Sequence, residues 1–312
     1  MSGGLRASAV AYLALRRSMG FKLDSVGYSV MGFVGWCERR GLDKVEADAA
    51  VQWATVPGKS AGWHAQRLSA VRGFARHHAL KDPGSQAIPS GLLESRAWRR
   101  TPFLFAPDQT IALMGACRQI IPCPAKAAAC EHLIGLLAAT GMRISEACAL
   151  NLGDIAETTL PDGATVTTLT IRDTKFGKTR VIPVLDSTRD ALDRYRTSRD
   201  RRAGTGAGAP LFTSQAGTRF APPRLRRRWW PRLLEAAGIA SFPGGPRIVP
   251  HSLRHTFAVD TLTGWHLATA EDIDAKMVWL STYMGHVDPA TTYWYLQAAP
   301  VLLAAAERSA RP

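Results

Sequence analysis

The chain has 312 residues, 46% of them hydrophobic, enough for one large cored domain or two smaller ones, which excludes wholesale disorder. Lysine and arginine number 39 against 25 acidic residues, a net charge of +14 with an isoelectric point near 10.1. That field attracts polyanions, and nucleic acid is the commonest one a soluble basic protein meets. No apolar run approaches the roughly 20 residues of a membrane span, and "AVAYLAL" ends at Arg16-Arg17 without a signal peptide's cleavage site.

The five cysteines, Cys37, Cys117, Cys123, Cys130 and Cys148, form no CxxC pair. They read as small buried hydrophobes in a reducing cytoplasm, with no clustered ligands for a metal.

Leu5, Ala9 and Leu13 keep helical spacing and predict a first helix. Val26, Val30, Phe33, Val34 and Cys37 predict a second, and Leu68, Val71, Phe74 and Ala75 a later one. Gly20, Gly41 and "VPGK" punctuate them, with a short helix expected around 46–55. Residues 1–90 therefore read as a helical N-terminal unit. From Lys81, "KDPGSQAIPSG" and then "ESRAWRRTPF" lose the apolar face, so 91–106 reads as a basic linker. Its arginines suit a segment lying along phosphates, or simply a solvated loop.

A second domain is expected over 107–312. Asp108 is placed to cap a helix carrying Ile111, Met114 and Cys117, and another apolar helix runs to about Ala139. "TVTTLTIRDTKFGKTRVIPV" has two β-branched runs around a polar turn and predicts a hairpin. "GTGAGAP" reads as a flexible connection and "RYRTSRDRR" as an exposed helix end. Helices are expected again over 222–237, stopped by Gly238, over 252–263, stopped by Gly264, and after Pro289. The fold class is thus mainly α with a small antiparallel β-sheet.

Four stretches carry chemistry. "LLAATGMRISEACAL" sets Arg143 and Glu146 three apart; "TKFGKTR" carries Lys175, Lys178 and Arg180. "VPHSLRHTFAVDTL" places His251 and Arg254 three apart on a helix, and "GHVDPATTYWY" follows His286 with Tyr293 and Tyr295. Taken one at a time, each has an ordinary structural explanation: a solvated arginine, a capping histidine, a turn lysine, a packed tyrosine.

In this order and spacing they resemble the tyrosine recombinase, or phage integrase, family. The likeness covers roughly the last two hundred residues, and the N-terminal helices match that family's core-binding (SAM-like) domain in position and character. The resemblance implies a catalytic domain that cleaves and rejoins DNA through a covalent 3′-phosphotyrosine, with neither metal nor cofactor. Two guanidiniums, Arg143 and Arg254, would neutralise the phosphate with planar donors that keep their charge. His251 would take the tyrosine's proton or position the phosphate, His286 would hydrogen-bond the phosphate, and Lys175 would protonate the departing 5′ oxygen, with Lys178 as its alternate. Glu146 would support the site from behind.

Tyrosine, with a pKa of ~10, needs a proton acceptor to attack at neutral pH. The family's nucleophile lies nine residues after the "GH" histidine, and 286 + 9 = 295, so Tyr295 is expected to be the nucleophile and Tyr293 its packed or DNA-facing neighbour. Tyr283, before the histidine, is a poor candidate.

"RLRRRWWPR" interleaves arginines with tryptophans, and Arg224, Arg226, Arg227 and Arg228, together with Lys178 and Arg180, are DNA-contact candidates. "GWHLATAEDIDAKMVW" reads as an enlarged connection and, with "LSTYMGH", points to a specialised branch such as mobile-element recombinases. The resemblance also implies double-stranded recombination sites as partners and a homotetramer on DNA. The alternatives are a type IB topoisomerase-like relaxing enzyme and a non-catalytic DNA-binding protein; the intact set of site residues disfavours the second.

Overall fold

The computed structural model describes residues 4–93, 101–172, 178–201, 203–268, 273–285, 292 and 295. The chain forms two compact units, Met1–Arg99 and Arg100–Pro312.

The N-terminal unit is four helices: α1 (Leu5–Ser18), α2 (Asp24–Glu38), α3 (Ala47–Ala54) and α4 (Ala61–Ala79). The predicted stripes meet inside it, where Leu13, Val30, Phe33, Val34, Trp53, Leu68, Val71 and Phe74 bury their side chains. Ser60 caps α4 by accepting from the Trp63 amide at 3.3 Å. A two-pronged Arg6–Glu38 pair ties α1 to the end of α2.

The second unit builds on α5 (Pro107–Ile120) and α6 (Pro124–Thr140). Pro107 takes the first helical position of α5, which suits its missing N–H, and the Gln109 side chain accepts from the Ala106 amide at 3.0 Å. Asp108 therefore sits inside the first turn and is not the cap. Cys130, Leu133, Ile134, Leu136 and Leu137 bury α6 on more than one side, as befits a helix packed against α5, α7, α8 and α10.

After α7 (Ile144–Ala149) and a single 3-10 turn at Leu152–Asp154 come β1 (Ile155–Thr159), β2 (Thr165–Ile171) and β3 (Arg180–Val184). They form an antiparallel sheet in the order β1-β2-β3. β2 and β3 are the predicted hairpin, in register Ile171↔Arg180. Pro183 stands on the edge strand, where its missing donor costs no ladder bond. β1 was not expected, because four of its five residues are exposed and it shows no alternation.

Then come α8 (Asp186–Asp200), a helical stretch from 222 that is π-wound over Arg224–Trp229 and continues as α9 (Trp230–Ala236), α10 (His251–Leu267) and α11 (Ile273–Met284). Three local expectations need correcting. Gly264 does not stop α10, which runs on to Leu267 and so packs Trp265 against the cluster of Ala258, Leu262 and Met277. The Gly204–Pro210 segment is not free, since the carbonyls of Ala207 and Ala209 accept from the amides of Gly153 and Leu152 at 2.9 Å each. Arg199 is not an exposed helix end: it is fully buried, holding the Pro210 and Leu211 carbonyls and the Asp200 carboxylate. The stretch read as an enlarged connection is largely the end of α10 and the start of α11.

Candidate active site

The site begins where α6 stops. Gly141 adopts φ +60°, and a Cβ there would strike the Phe257 ring, so glycine is required on both counts. The turn delivers Arg143 to the N-cap position of α7 rather than into the helix, with Glu146 in its first turn. Glu146 accepts from the Arg143 amide at 3.0 Å and from Arg143 Nη1 at 2.8 Å.

Arg180, at the start of β3, reaches the same carboxylate through Nη2 at 2.8 Å and Nη1 at 3.3 Å. Burial alone pushes the Glu146 carboxyl up, but the hydrogen bonds and charge of Arg180, with those of Arg143, outweigh it and hold the carboxyl below the ordinary range.

Three guanidiniums also share the end of α11. Arg180 Nε donates to the Tyr283 carbonyl at 2.9 Å, Arg254 Nη2 to Met284 at 2.8 Å and Arg143 Nη2 to Gly285 at 3.1 Å. A helix C-terminus presents unpaired carbonyls at its negative pole, so cations are favoured there. Arg254 also donates from Nη1 to the Gly141 carbonyl at 2.6 Å, joining the end of α6 to the end of α11. Three positive groups thus face one carboxylate, and the excess positive charge suits an anion. Burial, followed by the charge of Arg143, lowers Arg254 to about 10, which leaves it charged at neutral pH.

α10 supplies the histidines. His251, Arg254 and His255 lie at i, i+3 and i+4, on one helical face. The His251 ring has an exposed side, while surrounding protein desolvates it and, with His255 and Arg254, lowers it to about 4. His255 meets it edge-on, ring centroids 4.8 Å apart. Tyr295 is 2% exposed and rests against Ala258, Val259, Leu262, Leu280 and Met284. Its hydroxyl lies 3.0 Å from His255 Nδ1.

The structure therefore brings Arg143, Glu146, Arg180, Arg254, His251 and Tyr295 into one region. Lys175, His286 and Tyr293 lie outside the described residues. Lys178 is exposed on the approach to β3. Arg180, expected as a DNA contact, is turned inward with its side chain 12% exposed. Arg224, Arg226, Arg227 and Arg228 are exposed, while Leu225, Trp229 and Trp230 are buried and the Trp230 indole donates to the Ile248 carbonyl at 3.2 Å. The charge of Arg226 reaches His251, which puts this basic face on the site's side of the domain.

His255, within "VPHSLRHTFAVDTL", has no role in the sequence reading; its spacing from His251 is the available signal. Arg219 was missed altogether, and it caps α7 by donating to the carbonyls of Cys148, Ala149 and Leu150. Tyr283 stacks on Phe257, and burial raises its phenol to about 12. Among the described residues, no three His, Cys, Asp or Glu side chains gather as a metal site.

Comparison with known proteins follows the same lines. The phage integrase family profile matches residues 104–300. A putative integrase/recombinase, y4rB, from Sinorhizobium fredii is 35% identical, covering 97% of this chain and 96% of its own. Tyrosine recombinase XerD of Caulobacter vibrioides is 32% identical, covering 89% and 86%. Among solved structures, the XerH site-specific recombinase bound to a palindromic difH substrate, a post-cleavage complex, superimposes with a TM-score of 0.67. It covers 91% of this chain and 78% of its own at 18% identity, a likeness of fold.

Proposed function

The chain belongs to the phage integrase family, and from that premise we propose that it is a site-specific DNA recombinase that cleaves and rejoins strands through a 3′-phosphotyrosine on Tyr295. The observation that carries this reading is the convergence of Arg143 and Arg254 on the same helix end, beside a tyrosine held by α10. Arg143, its side chain 30% exposed, meets the scissile phosphate first, and Arg254 supplies charge from behind it. Lys175, which falls between β2 and β3 in the sequence, protonates the departing 5′ oxygen, with Lys178 as its alternate. His251 and His286 bind phosphate oxygens.

Glu146 and Arg180 position the others: they lock the hairpin, α7 and the end of α11 to one another. Guanidiniums do the work a metal ion does elsewhere, so the reaction is proposed to need no metal. Residues 1–90 act as the core-binding domain, 91–106 as the linker and 107–312 as the catalytic domain. Double-stranded recombination sites are the partners, four copies assemble on them, and the setting is the cytoplasm. The exposed arginines of the 224–228 segment contact DNA backbone.

The test is incubation with nicked DNA carrying the recombination site, in EDTA, followed by denaturing electrophoresis. Wild type forms a covalent adduct, Tyr293→Phe retains it and Tyr295→Phe loses it. An adduct lost only in Tyr293→Phe reassigns the nucleophile. No adduct in wild type leaves a DNA-binding protein without catalysis. Strand exchange between two marked duplexes, rather than relaxation of a supercoiled circle, separates this reading from the topoisomerase one.

A further inference from the structure

Resting on the reading of Tyr295 as nucleophile, we propose that His255 accepts the hydroxyl proton of Tyr295 as the phenol attacks, and returns it when the strand is rejoined. The contact is direct: Nδ1 of His255 lies 3.0 Å from the phenol oxygen, with the rings tilted by 59°. His251, to which the family resemblance gives either this task or the positioning of the phosphate, is edge-on to His255 and open to solvent on one side. That placement suits a phosphate oxygen arriving from outside.

The surroundings keep the acceptor unprotonated. Among the described residues, the titratable and charged groups that face His255 include His251 and Arg254 on its own helix and Tyr295 from the chain beyond α11. Burial, followed by the charge of Arg254, lowers His255 to about 4. The imidazole is therefore neutral at physiological pH, with a lone pair to offer the hydroxyl. Arg254 and Tyr295 interact electrostatically, and the guanidinium favours the phenolate as it forms.

The step balances without a further reagent. The phenol proton passes to Nδ1, the phenol oxygen forms a bond to phosphorus, and the bond from phosphorus to the 5′ oxygen breaks. The departing oxygen keeps its electron pair and takes a proton from the lysine assigned above. Rejoining runs the same transfers backwards, so no water and no oxidant enter.

The experiment is single-turnover cleavage of nicked site DNA by the full chain, comparing His255→Asn, His255→Ala and His251→Asn. Asparagine keeps a hydrogen-bond acceptor near the Nδ1 position but takes no proton. We expect His255→Asn to bind the site as wild type does in a gel shift and to cleave on the order of 10²-fold more slowly at neutral pH. Its defect narrows as pH rises toward tyrosine's ~10, because a phenolate needs no acceptor. His255→Ala, smaller still, shows the same alkaline recovery.

A DNA in which sulfur replaces the scissile 5′ oxygen leaves without a proton. It restores Lys175→Ala and leaves His255→Asn slow. The proposal is overturned if His255→Asn cleaves at close to the wild-type rate, if its defect stays constant with pH, or if the alkaline recovery belongs to His251→Asn. An adduct that survives Tyr295→Phe, or none in wild type, overturns the nucleophile reading itself and this proposal with it.

Discussion

Replacing Glu146 with glutamine changes a charge and one lone pair while leaving size and shape intact. The wild-type carboxylate is 7% exposed and accepts three side-chain donors from two arginines, plus the Arg143 amide. In Glu146→Gln one of those positions becomes an amide N–H₂ facing a guanidinium, and Arg143, Arg180 and Arg254 lose the carboxylate between them. Removing one partner of a buried pair costs about 3–5 kcal/mol. Arg180, with 12% of its side chain exposed, feels the full effect, whereas Arg143, at 30%, relaxes partly into solvent. The expected loss is therefore at the low end, about 3 kcal/mol.

The assay is urea-dependent hydrogen exchange of the full chain, read on peptides spanning 133–150, which isolates this domain from the N-terminal helices. Those peptides should lose that protection while peptides of α1–α4 are unchanged. A loss below about 1 kcal/mol, the value of an exposed pair, would refute the view that Glu146 is the tie between α7, the hairpin and α11.

Other outcomes follow from the same geometry. Gly285 adopts φ +68° and a Cβ there would lie 2.7 Å from Arg180 Nη1, so Gly285→Ala should displace Arg180 and slow cleavage while leaving DNA affinity within a few-fold in a gel shift. Gly141→Ala places a methyl group against Phe257 and adds about 1–2 kcal/mol of left-handed strain, a lowered melting temperature being the readout.

His255 and His251 are both depressed to about 4 from 6.5. Between those values the unfolded chain binds protons that the folded one refuses. Their contribution is therefore whole above pH 6.5 and lost as pH falls to about 4. A melting-temperature series over that window should fall more gently in His255→Leu than in wild type. Finally, each of Arg226, Arg227 and Arg228 that holds a DNA phosphate should, when changed to alanine, reduce the slope of log affinity against log salt by about 0.9. An unchanged slope in all three removes that face from the interface.

How legible all this was depends on what local pattern encodes. The helices of the N-terminal unit were readable because their apolar stripes repeat at 3.6-residue spacing, and the β2–β3 hairpin because two β-branched runs flank a polar turn. β1 was not readable, since its exposed strand carries no alternation. Gly264 misled because a glycine inside a helix costs only about 1 kcal/mol, which the burial of Trp265 offsets.

At the site, order and spacing picked out Arg143, Arg254, His251 and Tyr295. They did not show where the guanidiniums point. Arg180 looked like a surface contact because a basic residue next to a turn carries the same signature whether it faces DNA or a buried glutamate. The sharing of three consecutive carbonyls, those of Tyr283, Met284 and Gly285, among three arginines depends on residues 30 to 142 positions apart, which no local pattern reports. His255 carries no local sign of a role, because its partner Tyr295 enters from another part of the chain.

The central claim is that Tyr295 becomes joined to DNA, and peptide mass spectrometry of the adduct tests it most directly. After nuclease trimming and tryptic digestion, the peptide Met277–Arg308 contains Tyr283, Tyr293 and Tyr295 together. Fragmentation should place the nucleotide mass on Tyr295, linked through its 3′ phosphate. The same mass on Tyr293 or Tyr283, or a 5′ linkage, would contradict the account.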